Sequence, residues 1–427
     1  MTSPPIPRIL GRMVNQPTEP AKRGRKPHPP LRAADLKQLK YFKPIKKLLR
    51  RLHDHKDCPN RKLHYDELLA LVLLHFFNPV LTGQRALEQA SKLRKVQEKL
   101  GMDRTSLGSL SESASLFSPE LLYEVVQELA AGVQAQDAPA RPTGLDEELA
   151  VVAVDGTLLD ALPRMAWALW LDKEHRGLKL VLQFDVLRSV PQTPVVGDAN
   201  ISEKDALRQH LLPGRLYLVD GGFAEYRFFE EIRQARSSFV GRLKDNAVWE
   251  VVAERPLSDK DRQAGVVFDR VVRLGSASKQ DDLSAPVRVV KVHVKNPPSA
   301  GLARRRSRVS SKKTFRHRPE AYDLLLVTDR MDLAAEVIAL LFRYRWTIEL
   351  FFRWLKCLLR LRHLIFESAN GVKTLIYAAL IASLLVVLWT GRKPTKRTWE
   401  MIQLYFQGWA ALDELEAHIA QLEKTRS

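Results

Sequence analysis

The sequence predicts an α/β fold in which helices flank a mixed sheet, with a helical domain before the sheet and helices after it. Two observations favour this class. Between 148 and 244, short apolar runs that end at Asp-Gly alternate with helical patterns, as strand–helix units do. Apolar residues recur at helical spacing before 140 and after 333, whereas 245–332 holds β-branched runs. We therefore expect an α/β core interrupted by a β-rich insertion.

Charge and cysteine content narrow the classes of function. The 427 residues carry a formal charge of +19 with a pI near 9.9, which favours a polyanionic partner, most plausibly nucleic acid, over a merely solvated basic surface. The two cysteines, Cys58 and Cys357, indicate a reducing, cytoplasmic compartment, and without a CxxC spacing they exclude a structural zinc site. The apolar run 375–389 is shorter than the roughly 20 residues that cross a bilayer. It predicts a buried core helix and no membrane contact.

The N-terminal part divides at about residue 35. Residues 1–34 are rich in Pro, Lys and Arg and predict a disordered basic arm. Residues 35–140 predict a helical domain that begins with a basic helix over 36–52. Such a domain suits DNA binding, although a packing domain with charged outer faces fits the pattern equally well. A linker over 136–146 follows.

The core is expected to comprise 148–244 and 333–392. A buried strand over 149–154 is stopped by Asp155, and a later strand over 215–219 is stopped by Asp220. The other predicted core elements are strands at 177–187, 193–196 and 238–243 and helices at 202–212 and 225–236. The insertion over 245–332 contributes strands at 266–274, 287–294 and 322–329 with a very basic loop before the last, and 393–427 forms the C-terminal helices.

Asp155 and Asp220 are the first candidate site residues, because each directly follows an apolar strand. In open α/β sheets ligands bind beyond the carboxyl ends of the strands, so the two carboxylates meet if their strands are adjacent and parallel. Asp160 and Asp185 compete with Asp155 for the first position. We rank both lower, because Asp160 lies beyond the strand end and Asp185 lies inside a strand pattern.

The segment 342–360, FRYRWTIELFFRWLKCLLR, supplies the third carboxylate. Steps of four and seven residues place Arg345, Glu349 and Lys356 on one side of a helix whose other faces are apolar. Glu349 therefore needs partners. Convergence with Asp155 and Asp220 would create strong repulsion, which a pair of hard divalent cations such as Mg²⁺ relieves. Two such ions suit phosphodiester cleavage and transfer.

These residues resemble a known family. The order DGT after one strand, DGGF after a later one, a β-rich interval and then FRYRWTIELFFRWLK is similar to the DDE transposases of the insertion-sequence four family. The resemblance covers about 150–390 and implies an RNase H-like catalytic core. It implies that Asp155, Asp220 and Glu349 are the catalytic, metal-binding triad for two Mg²⁺ ions, with Mn²⁺ as a substitute. Arg345 and Lys356 match the Arg and Lys of the family's Tyr-Arg-Glu-Lys signature and imply DNA contacts.

Two further residues receive implied DNA-binding roles. Phe342 stands where the signature has Tyr, so the ring is kept and a hydroxyl is lost. Trp249 lies in the insertion, where relatives carry a Trp that holds a flipped base, although a structural Trp at a domain junction fits the position as well. Gly221 also departs from the family, in which Arg often follows the second Asp.

The implied function is cut-and-paste transposition: Mg²⁺-dependent cleavage and strand transfer at the ends of an insertion sequence. The implied partners are double-stranded DNA with terminal inverted repeats, target DNA and a second copy of the chain in a homodimeric synaptic complex. The implied location is cytoplasmic, at the nucleoid. Two alternatives stay open: an inactive DNA-binding relative that inhibits transposition, and a related metal-dependent nuclease that cuts without joining.

Overall fold

A computed structural model describes residues 52–53, 62–161, 165, 176–275, 283–295, 321–359 and 364–424. The predicted basic arm, nearly all of the helix predicted at 36–52 and the basic loop before the last predicted strand lie outside the described residues. The described strands form one nine-stranded mixed sheet, and helices lie before, between and after them. The predicted α/β fold class is therefore confirmed.

The strands of the core are numbered in chain order and follow the predicted sequence runs. They are β1 (Ala150–Ala161), β2 (Arg176–Asp185), β3 (Val190–Asp198), β4 (Arg215–Val219) and β5 (Ser238–Arg242). In the sheet they stand in the order β3-β2-β1-β4-β5. The first three strands pair antiparallel, and β1, β4 and β5 run parallel. This order and these directions are those expected of an RNase H-like core.

The strands after residue 245 extend the same sheet. They are β6 (Trp249–Glu254), β7 (Val266–Leu274), β8 (Val287–Lys295) and β9 (Ala321–Thr328). β9 pairs antiparallel with β5, and the sheet then continues through β8 and β7 to β6 at its edge. The β-rich segment is therefore continuous with the core sheet. β6 was not among the predicted strands, and its residues 250–254 are exposed and lack the apolar pattern of a buried strand.

The helices before the sheet occupy the region predicted to be helical. They are α1 (Tyr65–Phe77), α2 (Gln84–Ser91), α3 (Arg94–Leu100), α4 (Leu107–Leu116) and α5 (Glu120–Gly132). Three helices lie within the sheet region: α6 (Glu203–Arg208), α7 (Tyr226–Gln234) and α8 (Asp259–Gln263). Ser202 caps α6, since its side chain accepts a hydrogen bond from the Asp205 backbone N–H.

The remaining helices follow β9. They are α9 (Ala335–Tyr344), α10 (Trp346–Leu359), α11 (Ala369–Thr390), α12 (Lys396–Gln407) and α13 (Leu412–Lys424). α11 has 22 residues and is long and apolar enough to cross a membrane, but 89% of its most apolar window is buried inside the protein. It packs against α1, α4 and α5 on one side and against β3 and α10 on another. The prediction of a buried core helix is thus confirmed, and its apolar residues face protein all round.

Two hydrophobic clusters cover the two faces of the sheet. The first cluster contains Val151 and Ala153 of β1 together with residues of α1, α5, α10 and α11. The second cluster contains Val152 and Val154 of β1 together with Phe229 of α7. Alternate residues of a strand point to opposite faces, so a residue's position along β1 determines which cluster it faces. The N-terminal helices share the first cluster with the core.

Candidate active site

Asp155 lies inside a strand instead of at its end. β1 was expected to stop at Asp155-Gly156-Thr157, but pairing with β2 continues to Ala161, opposite Arg176. The expectation was wrong because β2 supplies backbone partners well beyond the first apolar run, and a Gly in a strand does not end it while such partners exist. Pairing of β1 with β4, in contrast, is recorded only as far as Ala153.

The register of the parallel strands brings Asp155 and Asp220 side by side. β1 and β4 pair in parallel from Ala150 with Arg215 to Ala153 with Leu218. The same register, continued two residues, places Asp155 level with Asp220. Paired strands lie about 4.8 Å apart, and the pairing here ends two residues before each aspartate, so both aspartates lie at the same edge of the sheet, where β1 and β4 stop pairing. The predicted condition, adjacent and parallel strands, is met.

Both aspartates face the helix that carries Glu349. Asp155 follows Val151 and Ala153 at steps of two, and these residues belong to the first cluster. Asp220 follows Leu216 and Leu218 of the same cluster in the same way. α10 packs on β1 and contributes its buried apolar side chains to this cluster, among them Ile348 and Phe352.

The electrostatics of Asp155 reflect this convergence. The pKa of the Asp155 carboxyl is raised to about 7, chiefly by burial and to a smaller extent by the Glu203 and Glu349 carboxylates. The Arg345 guanidinium and the hydrogen bond from the Gly156 N–H, 2.9 Å long, act in the opposite direction. A carboxyl with this pKa, next to other carboxylates, is a group whose anionic form a bound cation stabilises.

The donor chemistry of the predicted triad fits a hard divalent cation, because Asp155, Asp220 and Glu349 offer only carboxylate oxygens. Within the described ranges, no group of three His, Cys, Asp or Glu side chains is close enough to hold a metal ion. The Glu349 Oε1 atom instead accepts a hydrogen bond of 3.0 Å from Arg345 Nη2. Arg345 therefore supplies the positive charge for Glu349 in this arrangement.

Comparison with known proteins agrees with this geometry. A family model described as a transposase DDE domain matches residues 147–385, more than half of the chain. The chain belongs to the DDE transposase family.

Two curated relatives carry transposase names. The chain is 28% identical over 209 residues to the putative transposase y4zB of Sinorhizobium fredii, covering 48% of this chain and 52% of that protein. It is 24% identical over 357 residues to a probable transposase for insertion sequence element IS5377 of Geobacillus stearothermophilus, covering 80% and 83%. The chain thus spans about half the length of the first relative and most of the second.

A solved structure shows a more distant likeness. The cryo-EM structure of a piggyBac transposase synaptic complex with hairpin DNA matches over 91% of this chain and 82% of that chain, with 10% identity and a TM-score of 0.40. A likeness at this level supports no statement about the site. The prediction of a DDE transposase is confirmed by the family match, while the insertion-sequence four family and its signature stay predictions.

The transposase helix that carries the predicted signature is interrupted. The segment 342–360 was expected to form one helix, but α9 ends at Tyr344 and α10 begins at Trp346. Arg345 lies between them. The backbone N–H groups of Arg345 and Ile348 donate to the carbonyls three residues earlier, those of Phe342 and Arg345, as in a 3₁₀ turn. The expectation of a single helix was wrong because periodicity of side chains does not reveal a local change in backbone hydrogen bonding.

Arg345 and Phe342 are both buried in the transposase, each 5% exposed. The Arg345 Cζ atom lies 5.5 Å from the centre of the Phe342 ring and 5.7 Å from the centre of the Trp346 ring. The guanidinium thus contacts two aromatic rings. The Arg345 Nε and Nη1 atoms are buried without a hydrogen-bond partner among the described residues. The structure gives Phe342 a packing role beneath Arg345, and a direct DNA contact by its ring stays a prediction that this burial does not favour.

The two other predicted DNA-binding residues lie in different places. Lys356 is half-buried on α10, about two turns after Glu349. Trp249 is half-buried at the start of the edge strand β6, where it pairs with Leu274 and packs against the second cluster, on the face opposite the aspartates. The base-stacking role of Trp249 stays a prediction.

The two competing aspartates are separated by the fold. Asp185 stands opposite Val152 in the β1–β2 register and therefore faces the second cluster, away from Asp155. It accepts hydrogen bonds from the Arg188 backbone N–H at 3.1 Å and from Gln192 Nε2 at 3.3 Å, which is a structural role at the β2–β3 turn. Asp160 pairs with Gly177 near the end of β1, and the structure describes its backbone only.

Sequence reasoning missed residues that the fold brings to the site. Glu203, at the start of α6, places its side chain over Gly156 on the other face of β1, in space that a larger residue at 156 would occupy. Arg242, the last residue of β5, is level with Asp220. Neither could be found from local patterns, since each reaches the site only through helix packing or strand register.

Proposed function

We propose that the chain is an active transposase that cuts DNA at the ends of an insertion sequence and joins the freed ends to target DNA by cut-and-paste transposition. The observation that carries the proposal is that β1 and β4 are adjacent and parallel and pack under the helix with Glu349, which supports a common site for Asp155 and Asp220 at the end of these strands. The transposase names of the relatives and the net charge of +19 support it.

Asp155, Asp220 and Glu349 would hold Mg²⁺, or Mn²⁺ in its place. When bound, two such ions supply Lewis-acid activation of an attacking oxygen and stabilisation of the leaving oxygen at a phosphate. The chain's own part is to position the DNA. We assign a phosphate contact to Arg345 because its Nε and Nη1 atoms have no partner among the described residues and a planar guanidinium can bind in a bidentate way. Arg345 is only 5% exposed, so this contact requires that the DNA backbone reach a group that is now buried. Lys356 adds a compact charge on the same helix.

The proposed assembly is a homodimer on two DNA ends with terminal inverted repeats, located at the nucleoid in the cytoplasm. The high positive charge supports binding to the DNA backbone with a strong dependence on salt. The hairpin step and the target preference do not enter the proposal.

The test uses the purified full-length chain with labelled DNA taken from both flanks of its reading frame, with and without Mg²⁺. Nicking and joining at the element ends are expected, and both are expected to disappear in Asp155→Asn and Glu349→Ala. The control variant Asp259→Asn changes an exposed carboxylate on α8 and should retain activity. Cutting without joining would favour the nuclease alternative, and salt-dependent binding without cutting would favour the inactive relative.

A further inference from the structure

Arg242 continues the row that the two aspartates begin. β4 and β5 pair in parallel from Leu216 with Ser238 to Val219 with Gly241. One further step in this register places Asp220 level with Arg242. Three adjacent parallel strands, β1, β4 and β5, therefore carry Asp155, Asp220 and Arg242 at the same edge of the sheet, one or two residues beyond the last paired residues of each strand pair.

Arg242 and Tyr322 face the same side of the sheet as the aspartates. Arg242 follows Val240 of the first cluster by two residues and pairs with Leu326, another member of that cluster. Tyr322 lies on β9, the next strand beyond β5, and packs against the first cluster as well. The junction of α9 and α10, which holds Arg345, covers this face.

Donors at this place lack partners. Among the described residues, no hydrogen bond or ion pair engages the Arg242 guanidinium or the Tyr322 hydroxyl, and Arg345 Nε and Nη1 are buried and unsatisfied. The side chains of Arg242 and Tyr322 are half-buried. A donor withdrawn from water needs an acceptor, which applies to the two buried Arg345 atoms, whereas the half-buried Arg242 and Tyr322 side chains stay open to a ligand from solvent.

The positive charges of Arg242 and Arg345 affect the pKa of the Tyr322 hydroxyl. Burial raises the pKa of the Tyr322 hydroxyl, while Arg242 and then Arg345 oppose that rise. A phenol in this setting stays protonated at neutral pH and can donate a hydrogen bond. Arg242 pairs with Leu326, four residues from Tyr322 along β9, and both guanidiniums act on the Tyr322 hydroxyl, so the three side chains offer two cationic forks and one hydroxyl to an anion with several acceptor oxygens.

We infer that Arg242, Tyr322 and Arg345 bind one backbone phosphate of the DNA substrate next to the Asp155–Asp220 pair. The inference rests on the proposed function in that DNA is the substrate. Carboxylates repel a phosphate, and Arg242 at the end of their row offsets that repulsion. Tyr322 also supplies a phenolic hydroxyl near Arg345, on a face where Phe342 offers only a buried ring. Tyr322 and Arg242 are thus positioning residues that hold the DNA.

The experiment compares Arg242→Gln and Tyr322→Phe with two matched controls elsewhere. Arg262→Gln changes an exposed arginine on α8, and Tyr405→Phe removes a half-buried hydroxyl on α12. DNA from the element ends is made with single neutral methylphosphonates that scan the phosphates around the cleavage position. Affinity is measured without divalent metal and cleavage is measured with it, and thermal unfolding checks that each variant folds.

Tyr322→Phe and Arg242→Gln are expected to weaken binding and cleavage of unmodified DNA by about tenfold each, while the controls change little. At one phosphate position the methylphosphonate should abolish this difference, because the contact is already lost in the wild type. The inference is overturned if the two variants match their controls, or if their losses are the same at every methylphosphonate position. Wild-type protein that cuts no DNA would overturn the proposed function instead, so the two failures are distinguishable.

Discussion

The buried ion pair between Asp269 of β7 and Arg288 of β8 connects the sheet extension to the start of α9, which leads into the helix with Glu349, and its loss is predicted to be costly. Arg288 Nε and Nη2 donate to the two carboxylate oxygens of Asp269 at 2.7 and 2.6 Å, and the side chains are 1% and 3% exposed. Arg288 Nη1 also donates to the main-chain carbonyls of Arg330 and Leu333, just before α9 begins. The guanidinium thus fixes the entry to α9 and, through it, Arg345 and Glu349.

The substitution Asp269→Asn leaves the Arg288 charge buried with one carbonyl acceptor in place of a bidentate carboxylate. Removing one partner of a buried pair costs about 3–5 kcal/mol, and the retained acceptor puts this variant near 3 kcal/mol. A control on the neighbouring strand is Asp323→Asn, which breaks the exposed pair of Asp323 with Lys291 at 2.9 Å. Exposed pairs contribute less than about 1 kcal/mol.

Both variants are to be compared with the wild type by urea unfolding followed by circular dichroism and by tryptophan fluorescence. The expected order of midpoints is wild type, then Asp323→Asn close below it, then Asp269→Asn well below. The double variant Asp269→Leu with Arg288→Met removes both charges and is expected to recover much of the loss. Equal losses in Asp269→Asn and Asp323→Asn would refute the reasoning, since burial would then make no difference to the pair.

Three further predictions concern the N-terminal helices, the strand at the site and the metal. Burial raises the pKa of Glu67 to about 8 from 4.5, so the folded protein keeps a proton that the unfolded chain releases, and the free energy of unfolding should fall by about 2 kcal/mol from pH 6 to pH 8. Glu67→Gln should flatten this profile, and an unchanged slope would contradict the assignment. In Gly156→Ala the new Cβ would lie 2.6 Å from Glu203 Cδ, so we expect a loss of about 1 kcal/mol that disappears in a Glu203→Ala background, measured as a double-mutant cycle. Mg²⁺ at a hundredfold its dissociation constant should stabilise the fold by about 2.7 kcal/mol in thermal unfolding, and Asp155→Asn or Asp220→Asn should reduce this gain, whereas a gain that both variants retain would place the ion elsewhere.

Many elements of the fold could be predicted from short stretches of the sequence. The strand over 215–219 and the strand over 266–274 were predicted at their observed bounds, because each apolar run is closed by residues that favour a turn or loop. Local sequence also explains the caps of α6 and α12, because Ser202 and Thr395 each accept a hydrogen bond from a backbone N–H only three residues away. Asp155 and Asp220 were predicted because each follows an apolar run, and Glu349 because it lies on an otherwise apolar helix.

The tertiary structure decided what depends on partners distant in sequence. β1 runs past Asp155 because β2 continues to pair with it, and β6 is a strand because β7 lies beside it. The sequence named the aspartates, but only strand register made them neighbours and added Arg242 to their row. The apolar run in α11 indicated that this helix is buried, and the packing of other helices around α11 shows that its surroundings are protein. Local composition selects the elements, whereas hydrogen-bonding register and packing, which join residues far apart in the chain, assemble the site.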